Sequence, residues 1–530
     1  MARWFKTPRV KLSMQHFVTS TRARLQKKKI SRTTPLWVVG WFAAAFVLLL
    51  NPSTTASPNT LESPAQVVAN TQNPSVLSAE DRGGYMLIRA AQERGDFTSA
   101  DALMGQLSNR LLVGHMLAER YLTSAYKPSK TELADWLARY NDHPEAARIA
   151  SLAIRQGLDV NLPKAAKPLR GEGYTDHEGR STMPDSWFTA LGFWRAGDYA
   201  KAQPIFANVS ADASLSPWQR ASAYYWMYRA SEKLGAHDEA NAALKLASRY
   251  PTTFYGMLAA TQLGIPSVIP EAPEVRDSLR NDPRAIRAAL LSQLGDDDAA
   301  EDELRALHAA VDKDQRGGIV TLASELNMPN LQMRLARTEG LSTAEQLFAQ
   351  YPAPQYMVAL DPVMDAALLL AVARNESGFR EIAHSPAGAV GMMQMLPSTA
   401  RAVERHVGEE LLRTASAASA SLPVAERLSD PALSARYGAE YLKLLTQQPA
   451  IGRSLVHVLV GYNAGPGTVA SWKAAAGNVS DPLLYVESIP YPETRNYVMQ
   501  VAAQYWIYQR MMGETPTSLR ALAKGEWPKV

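Results

Sequence analysis

From Glu80 to about Tyr351 apolar residues return at helical spacing, and no convincing period-two run of β-branched residues interrupts them, so the whole stretch predicts helices. One punctuation recurs: glycine, four residues, alanine, at Gly95 to Ala100 (GDFTSA), Gly197 to Ala202 (GDYAKA), Gly235 to Ala240 (GAHDEA) and Gly295 to Ala300 (GDDDAA). Glycine can take the left-handed conformation that ends one helix, the acids after it suit the next helix's N-terminus, and the small alanine allows close approach. Each such segment predicts a helical hairpin. The glycines are 102, 38 and 60 residues apart, which predicts an irregular superhelix over 80–351 rather than a strict repeat array. Proline- and glycine-bearing loops near Leu162 to Asp185 and Ile265 to Arg284 interrupt it. Pro352, Pro354 and Pro362 mark a boundary, and after it Val363 to Glu376 (VMDAALLLAVARNE) is apolar on nearly every side, predicting a buried central helix that stops at Gly378. The fold class is all-α, with a second domain over 352–513 and a tail over 514–530. Aromatic clusters at Tyr224, Tyr225, Trp226 and Tyr228, at Phe254 and Tyr255, and at Tyr505, Trp506 and Tyr508 read as packing between helices.

Another pattern precedes this body. Leu36 to Leu50 (LWVVGWFAAAFVLLL) is an unbroken apolar run, and residues 1–35 carry ten Lys or Arg and no acid. A positive flank before an apolar run keeps the N-terminus cytoplasmic and sends the rest across the membrane. Fifteen residues are short for a span of about 20, so a cleaved signal and a retained anchor both fit. Residues 51–79, rich in Pro, Ser, Thr and Asn, read as a flexible linker. The expected location is periplasmic, either soluble or held at the inner membrane by the N-terminal segment.

Charge and composition then exclude several chemistries. The net charge is +4, yet the leader holds ten of the 55 basic residues, which leaves 45 against 51 acids in the body. A mildly acidic body lacks the basic face a nucleic-acid partner requires. Without cysteine there is no disulfide, thiolate nucleophile or Cys-ligated metal. The nine histidines are scattered with no His-Glu-x-x-His pair, so neither a metal site nor a cofactor is expected.

Glu376 stands in the last turn of the predicted central helix. There the helix dipole and an apolar surround both disfavour the carboxylate, and a carboxyl kept protonated near neutral pH is what a general acid needs. A glutamate at a helix end is by itself an ordinary solvated residue, but its neighbourhood is not ordinary. NESGF (Asn375 to Phe379) is followed by HSPAGAVGMMQMLPSTA (His384 to Ala400), DPALSARYGAEYL (Asp430 to Leu442), GYNAGPGTVASW (Gly461 to Trp472) and IPYPETRNYV (Ile489 to Val498). This order resembles the soluble lytic transglycosylase family, whose catalytic domain has a goose-type-lysozyme-like fold. Upstream, RASAYYWMYRASEKLG (Arg220 to Gly235) and ASRYPTTFYGMLAATQLG (Ala247 to Gly264) look like the family's superhelical domain.

The resemblance implies Glu376 as the single catalytic acid and base, with Ser377 as its structural partner. It implies Ser385, Gln394, Tyr462, Asn463 and Glu493 as substrate-binding residues and Arg495 as support. Two positions depart from the family pattern: Leu396 stands where Met is common, and Ser434 stands where Asn is common, a change expected to remove one hydrogen bond. Thr414 to Leu422 (TASAASASL) reads as a surface insertion, either loop or short helix. The implied reaction is non-hydrolytic cleavage of the bond between N-acetylmuramic acid and N-acetylglucosamine in peptidoglycan glycan strands, leaving 1,6-anhydro ends. The alternatives are a lysozyme-like muramidase and a non-enzymatic wall-binding scaffold. The block from about Tyr356 to Gly513 is expected to fold on its own, with the superhelix handling substrate.

Overall fold

The hairpin turns form as their sequences dictate. Gly95, Gly197, Gly235 and Gly295 all take φ between 73° and 76°. The amide after each glycine reaches back five residues to a carbonyl of the preceding helix, as from Asp96 to Ala91 and Asp198 to Phe193. Asp96, Asp198 and Asp296 then cap the following helices by accepting from the amides of Ser99, Lys201 and Ala299. Ala100, Ala202, Ala240 and Ala300 are fully buried at the crossings.

The computed structural model describes residues 76–163, 183–360, 363–412, 417–477 and 479–530. The basic leader, the apolar run 36–50, the linker through 75, most of the loop expected near 162–185, Pro362 and residues 414–416 of the Ala/Ser stretch lie outside them. Among the described residues the fold is all-α, with three isolated β-bridges and no strand. No helix among them is long and apolar enough to cross a membrane. Ala417–Ser421 is a short helix.

The C-terminal domain is built around α1 (Ala366–Ser377), started by Asp365, whose carboxylate accepts from the Leu368 amide. Every residue of α1 from Ala366 to Arg374 is buried. Around it lie α2 (Pro397–Val407), α3 (Pro431–Gln447), α4 (Leu455–Ala464), α5 (Pro466–Ala476), α6 (Pro482–Glu487), α7 (Pro492–Met511) and α8 (Thr517–Ala523). The helix α1 starts three residues later than the hydropathy pattern suggests, because Asp365 can cap and Val363 cannot.

Two boundaries differ from expectation. Residues 514–530 are no loose tail: Leu519 and Leu522 of α8 are buried, and the Trp506 indole donates to Ser518 Oγ at 2.9 Å. Beyond α8 the chain returns to α4, where Leu455 N–H donates to the Pro528 carbonyl at 3.0 Å. The line between superhelix and C-terminal domain is also not a break in the core. One apolar cluster runs from Trp187, Trp226 and Phe254 through Leu369 and Val458 to Trp506 and Leu522. Phe254 stacks on Trp506 with ring centroids 5.2 Å apart. Trp226 donates to the Tyr255 hydroxyl at 2.9 Å, and that hydroxyl donates to the buried Glu487 carboxylate at 2.7 Å. The aromatic residues read as packing do pack: Tyr225, Trp226, Phe254, Tyr255, Tyr505, Trp506 and Tyr508 are all buried.

Candidate active site

The last turn of α1 delivers Glu376, and Gly378 ends the helix in the left-handed conformation, φ 61° and ψ 38°. Burial pushes the Glu376 carboxyl up to about 7; the Tyr497 hydroxyl opposes the shift and the Glu493 charge adds to it. Glu376 keeps a partial opening to solvent, while Glu493, in the first turn of α7, is exposed. The structure thus brings together the two carboxylates singled out from sequence, in unequal environments.

Tyr497 lies one turn beyond Glu493 on α7 and is 5% exposed. Its hydroxyl is buried, meets no partner at full hydrogen-bond geometry, and lies close enough to Glu376 to favour that carboxylate as a donor. Tyr462 and Tyr441 complete an aromatic wall, their rings 5.4 Å apart, and the field of Glu376 reaches both Tyr462 and Tyr497. Sequence reasoning missed Tyr441 and Tyr497. The spacing of four from Glu493 to Tyr497 on a helix was the available signal.

A loop from Val390 to Met395 faces this wall, tied by three side chains. Ser377 Oγ donates to the Met392 carbonyl at 2.7 Å, the Tyr462 hydroxyl donates to the Met393 carbonyl at 2.8 Å, and Ser434 Oγ accepts from the Met393 amide at 3.3 Å. Ser434 thus contributes one hydrogen bond to the loop. Gly391 makes the loop's close approach, with φ 78°; a Cβ there would lie 1.8 Å from the Leu428 carbonyl oxygen. Gln394, at φ 46°, donates to the carbonyls of Ala383 and Gly391, and Ser385 Oγ accepts from the Ala389 amide in the preceding loop.

Tyr462 and Asn463 sit in the last turn of α4 rather than in an open loop. The Asn463 side-chain oxygen accepts from the Thr494 hydroxyl of α7 at 2.7 Å. Arg495 is buried: it donates to the carbonyls of Glu487 and Ile489 at 3.4 and 3.3 Å, lies over Phe188, and its charge acts on the Glu487 carboxylate. Its place is the joint between α6, α7 and the superhelix. The superhelix also reaches the site, since Asn330 donates to the Gly378 carbonyl at 3.0 Å. Trp472 and the exposed Tyr491 stack at 5.3 Å, with Tyr491 two residues before Glu493.

Residues 357–484 match the family model described as the transglycosylase SLT domain. The chain carries a transglycosylase SLT domain. A stretch of 158 residues is 35% identical to the soluble lytic murein transglycosylase of Escherichia coli K12, a match covering 30% of this chain and 22% of that protein. A longer match to the soluble lytic murein transglycosylase of Salmonella typhimurium is 27% identical over 497 residues, covering 91% of this chain and 69% of that one. In fold, the chain resembles the 70 kDa soluble lytic transglycosylase from Escherichia coli with a TM-score of 0.51 at 23% identity, over 88% of this chain and 77% of that one. The superhelix-plus-SLT arrangement is therefore shared along most of the chain. Within this SLT domain Leu396 is 41% exposed on the loop that carries Gln394, so exchanging Met for Leu there changes a surface and not the core.

Among the described residues one group of His and acidic side chains is close enough to share a metal ion, His115, His143 and Glu303, and it belongs to the superhelix.

Proposed function

We propose that the chain is a peptidoglycan lytic transglycosylase in which Glu376 acts first as acid and then as base. The observation that carries the reading is a carboxyl at the end of a buried helix, held near a pKa of 7 by burial and faced by tyrosines. A carboxyl with that pKa is protonated in a useful fraction at neutral pH and its anion is still basic enough to take a proton back.

The reaction written on these groups is balanced without water. Glu376 gives its proton to the oxygen linking N-acetylmuramic acid to N-acetylglucosamine, and the C1–O bond breaks. The acetamido oxygen of the muramic residue supports the cation-like C1. Its own C6 hydroxyl then attacks C1, Glu376 takes the hydroxyl proton, and a 1,6-anhydro ring closes. Tyr462 spends its proton on Met393, so its oxygen is an acceptor for the acetamido N–H; Asn463 spends its carbonyl on Thr494, so its NH2 is a donor for the acetamido oxygen. Ser385 and Gln394 line the loops on the opposite side. Glu493 binds substrate at the rim and raises Glu376 through its charge. The exposed carboxylate of Glu493 also suits a hydrolytic muramidase, in which it would activate water. The setting is the bacterial envelope, on the periplasmic side, with glycan strands as partner and the N-terminal segment as signal or anchor.

Mass spectrometry of muropeptides released from purified sacculi tests the reaction. Anhydro ends support the transglycosylase, and reducing ends identify the muramidase.

A further inference from the structure

Three residues far apart in the chain meet inside the superhelix. His115 lies on the helix Val113–Leu122, His143 in the turn after the helix Lys130–Tyr140, and Glu303 on the helix Asp297–Ala310. Their exposures are 1%, 5% and 0%, and one donor atom from each lies within 4.8 Å of the others.

The groups behind them are as telling as the three themselves. His115 Nδ1 lies 3.1 Å from Glu145 Oε1 and its Nε2 lies 2.7 Å from Glu303 Oε1. His143 Nδ1 lies 3.2 Å from Asp142 Oδ1. An ionised carboxylate only accepts, so the His143 proton is on Nδ1 and its Nε2 carries a lone pair. That Nε2 is buried with no partner, and so is Glu145 Oε2. An imidazole whose one N–H is held by a carboxylate while its other nitrogen is left without a protein donor is how metal-ligating histidines are set. Arg287 grips both oxygens of Glu303, Nε on Oε1 and Nη2 on Oε2 at 2.9 Å, and also reaches Asp142 at 2.9 Å. Three carboxylates, Asp142, Glu145 and Glu303, thus face one guanidinium, an imbalance that a divalent cation with two neutral imidazoles removes. A proton on His115 removes half of it and leaves the His143 lone pair stranded.

We propose that His115, His143 and Glu303 bind one divalent transition-metal ion, zinc by the character of the two-nitrogen, one-carboxylate donor set, as a structural staple of the superhelix. Bonds of about 2.0–2.2 Å require the three donors to draw in from their present spacing; the ion displaces Arg287 Nε from Glu303 Oε1, while Nη2 keeps Oε2. With all three ligands buried the ion has no face for substrate; it joins the segments around residues 115, 143 and 303, and its binding is coupled to folding.

The test uses the full chain without a histidine tag, stripped by chelator and titrated with zinc, reading metal per chain by mass spectrometry and the thermal transition by scanning calorimetry. The expected result is one zinc per chain and a rise of about 3 °C at free zinc one hundredfold above its dissociation constant. His143→Ala keeps the pairs of Glu303 with Arg287 and His115, so it should fold, take up no zinc and show no rise; His143→Gln serves if the alanine variant does not fold. Cobalt gives a second readout, visible absorption bands that the His143 variant lacks. Failure of the full chain to take up stoichiometric zinc or cobalt, or equal uptake and stabilisation in the His143 variant, overturns the site and leaves an ion-pair network alone.

Discussion

Tyr497 sets its buried hydroxyl against the carboxyl of Glu376, and no other group partners it. Glu493 stands one helical turn earlier on the same helix and acts on Glu376 in the opposite sense. One helix therefore carries both a group that favours the Glu376 anion and a group that disfavours it. Burial raises the Glu376 carboxyl, and α7 adjusts that shift in both directions.

Tyr497→Phe removes the donor and should move the alkaline limb of the kcat/KM profile to higher pH, with a rate change at pH 7 of less than about tenfold, since a single hydrogen bond is involved. A pH–rate profile on purified sacculi checks it; an unmoved limb would mean that the hydroxyl does not act on Glu376.

Glu493→Gln removes a like charge and should move the same limb to lower pH. Because Glu493 is exposed, the difference from the parent chain should shrink as ionic strength rises. Paired profiles at low and high salt read both effects.

Glu376→Gln should lower strand cleavage by at least about a hundredfold while the fold survives. It should also alter the pH dependence of stability. Between the unfolded carboxyl's value near 4.5 and the folded value of about 7 the native state holds the extra proton, so the parent chain loses stability as pH rises through that window. The amide does not titrate. At pH 8 the variant should be more stable than the parent, by up to about 3 kcal/mol for a shift of this size, and near pH 4 the two should match. Denaturant melts at the two pH values decide it.

Tyr255→Phe leaves the buried Glu487 carboxyl without its donor and the Trp226 N–H without its acceptor, across the joint between superhelix and SLT domain. A loss of about 1–3 kcal/mol is expected in chemical denaturation.

The block from Tyr356 to Gly513 was expected to fold alone, and the structure argues against it. Cut there, Trp506 loses the Phe254 ring on one side and the Ser518 hydroxyl on another, and the whole of α8 is gone. That fragment should lack a cooperative thermal transition, whereas the chain from Glu80 to Val530 should show one. A sharp transition in the fragment would restore the two-domain plan.

Sequence alone determined the helical elements and singled out Glu376 as the candidate acid. Left-handed glycines, capping aspartates and buried alanines are local devices, so the hairpins at Gly95, Gly197, Gly235 and Gly295 were legible without any tertiary contact. Glu376 was singled out by the order of the motif blocks from Asn375 to Val498, which resembles the soluble lytic transglycosylases. Tertiary structure decided what depends on residues that are remote in the chain. Burial of Glu376 under α4 and α7 sets its pKa, and no window of sequence contains that packing. Ser434 reaches Met393 from 41 residues away, Tyr255 reaches Glu487 from 232, and His115 reaches Glu303 from 188. Polar groups that leave water need partners, and which partners they meet is fixed only when the helices pack.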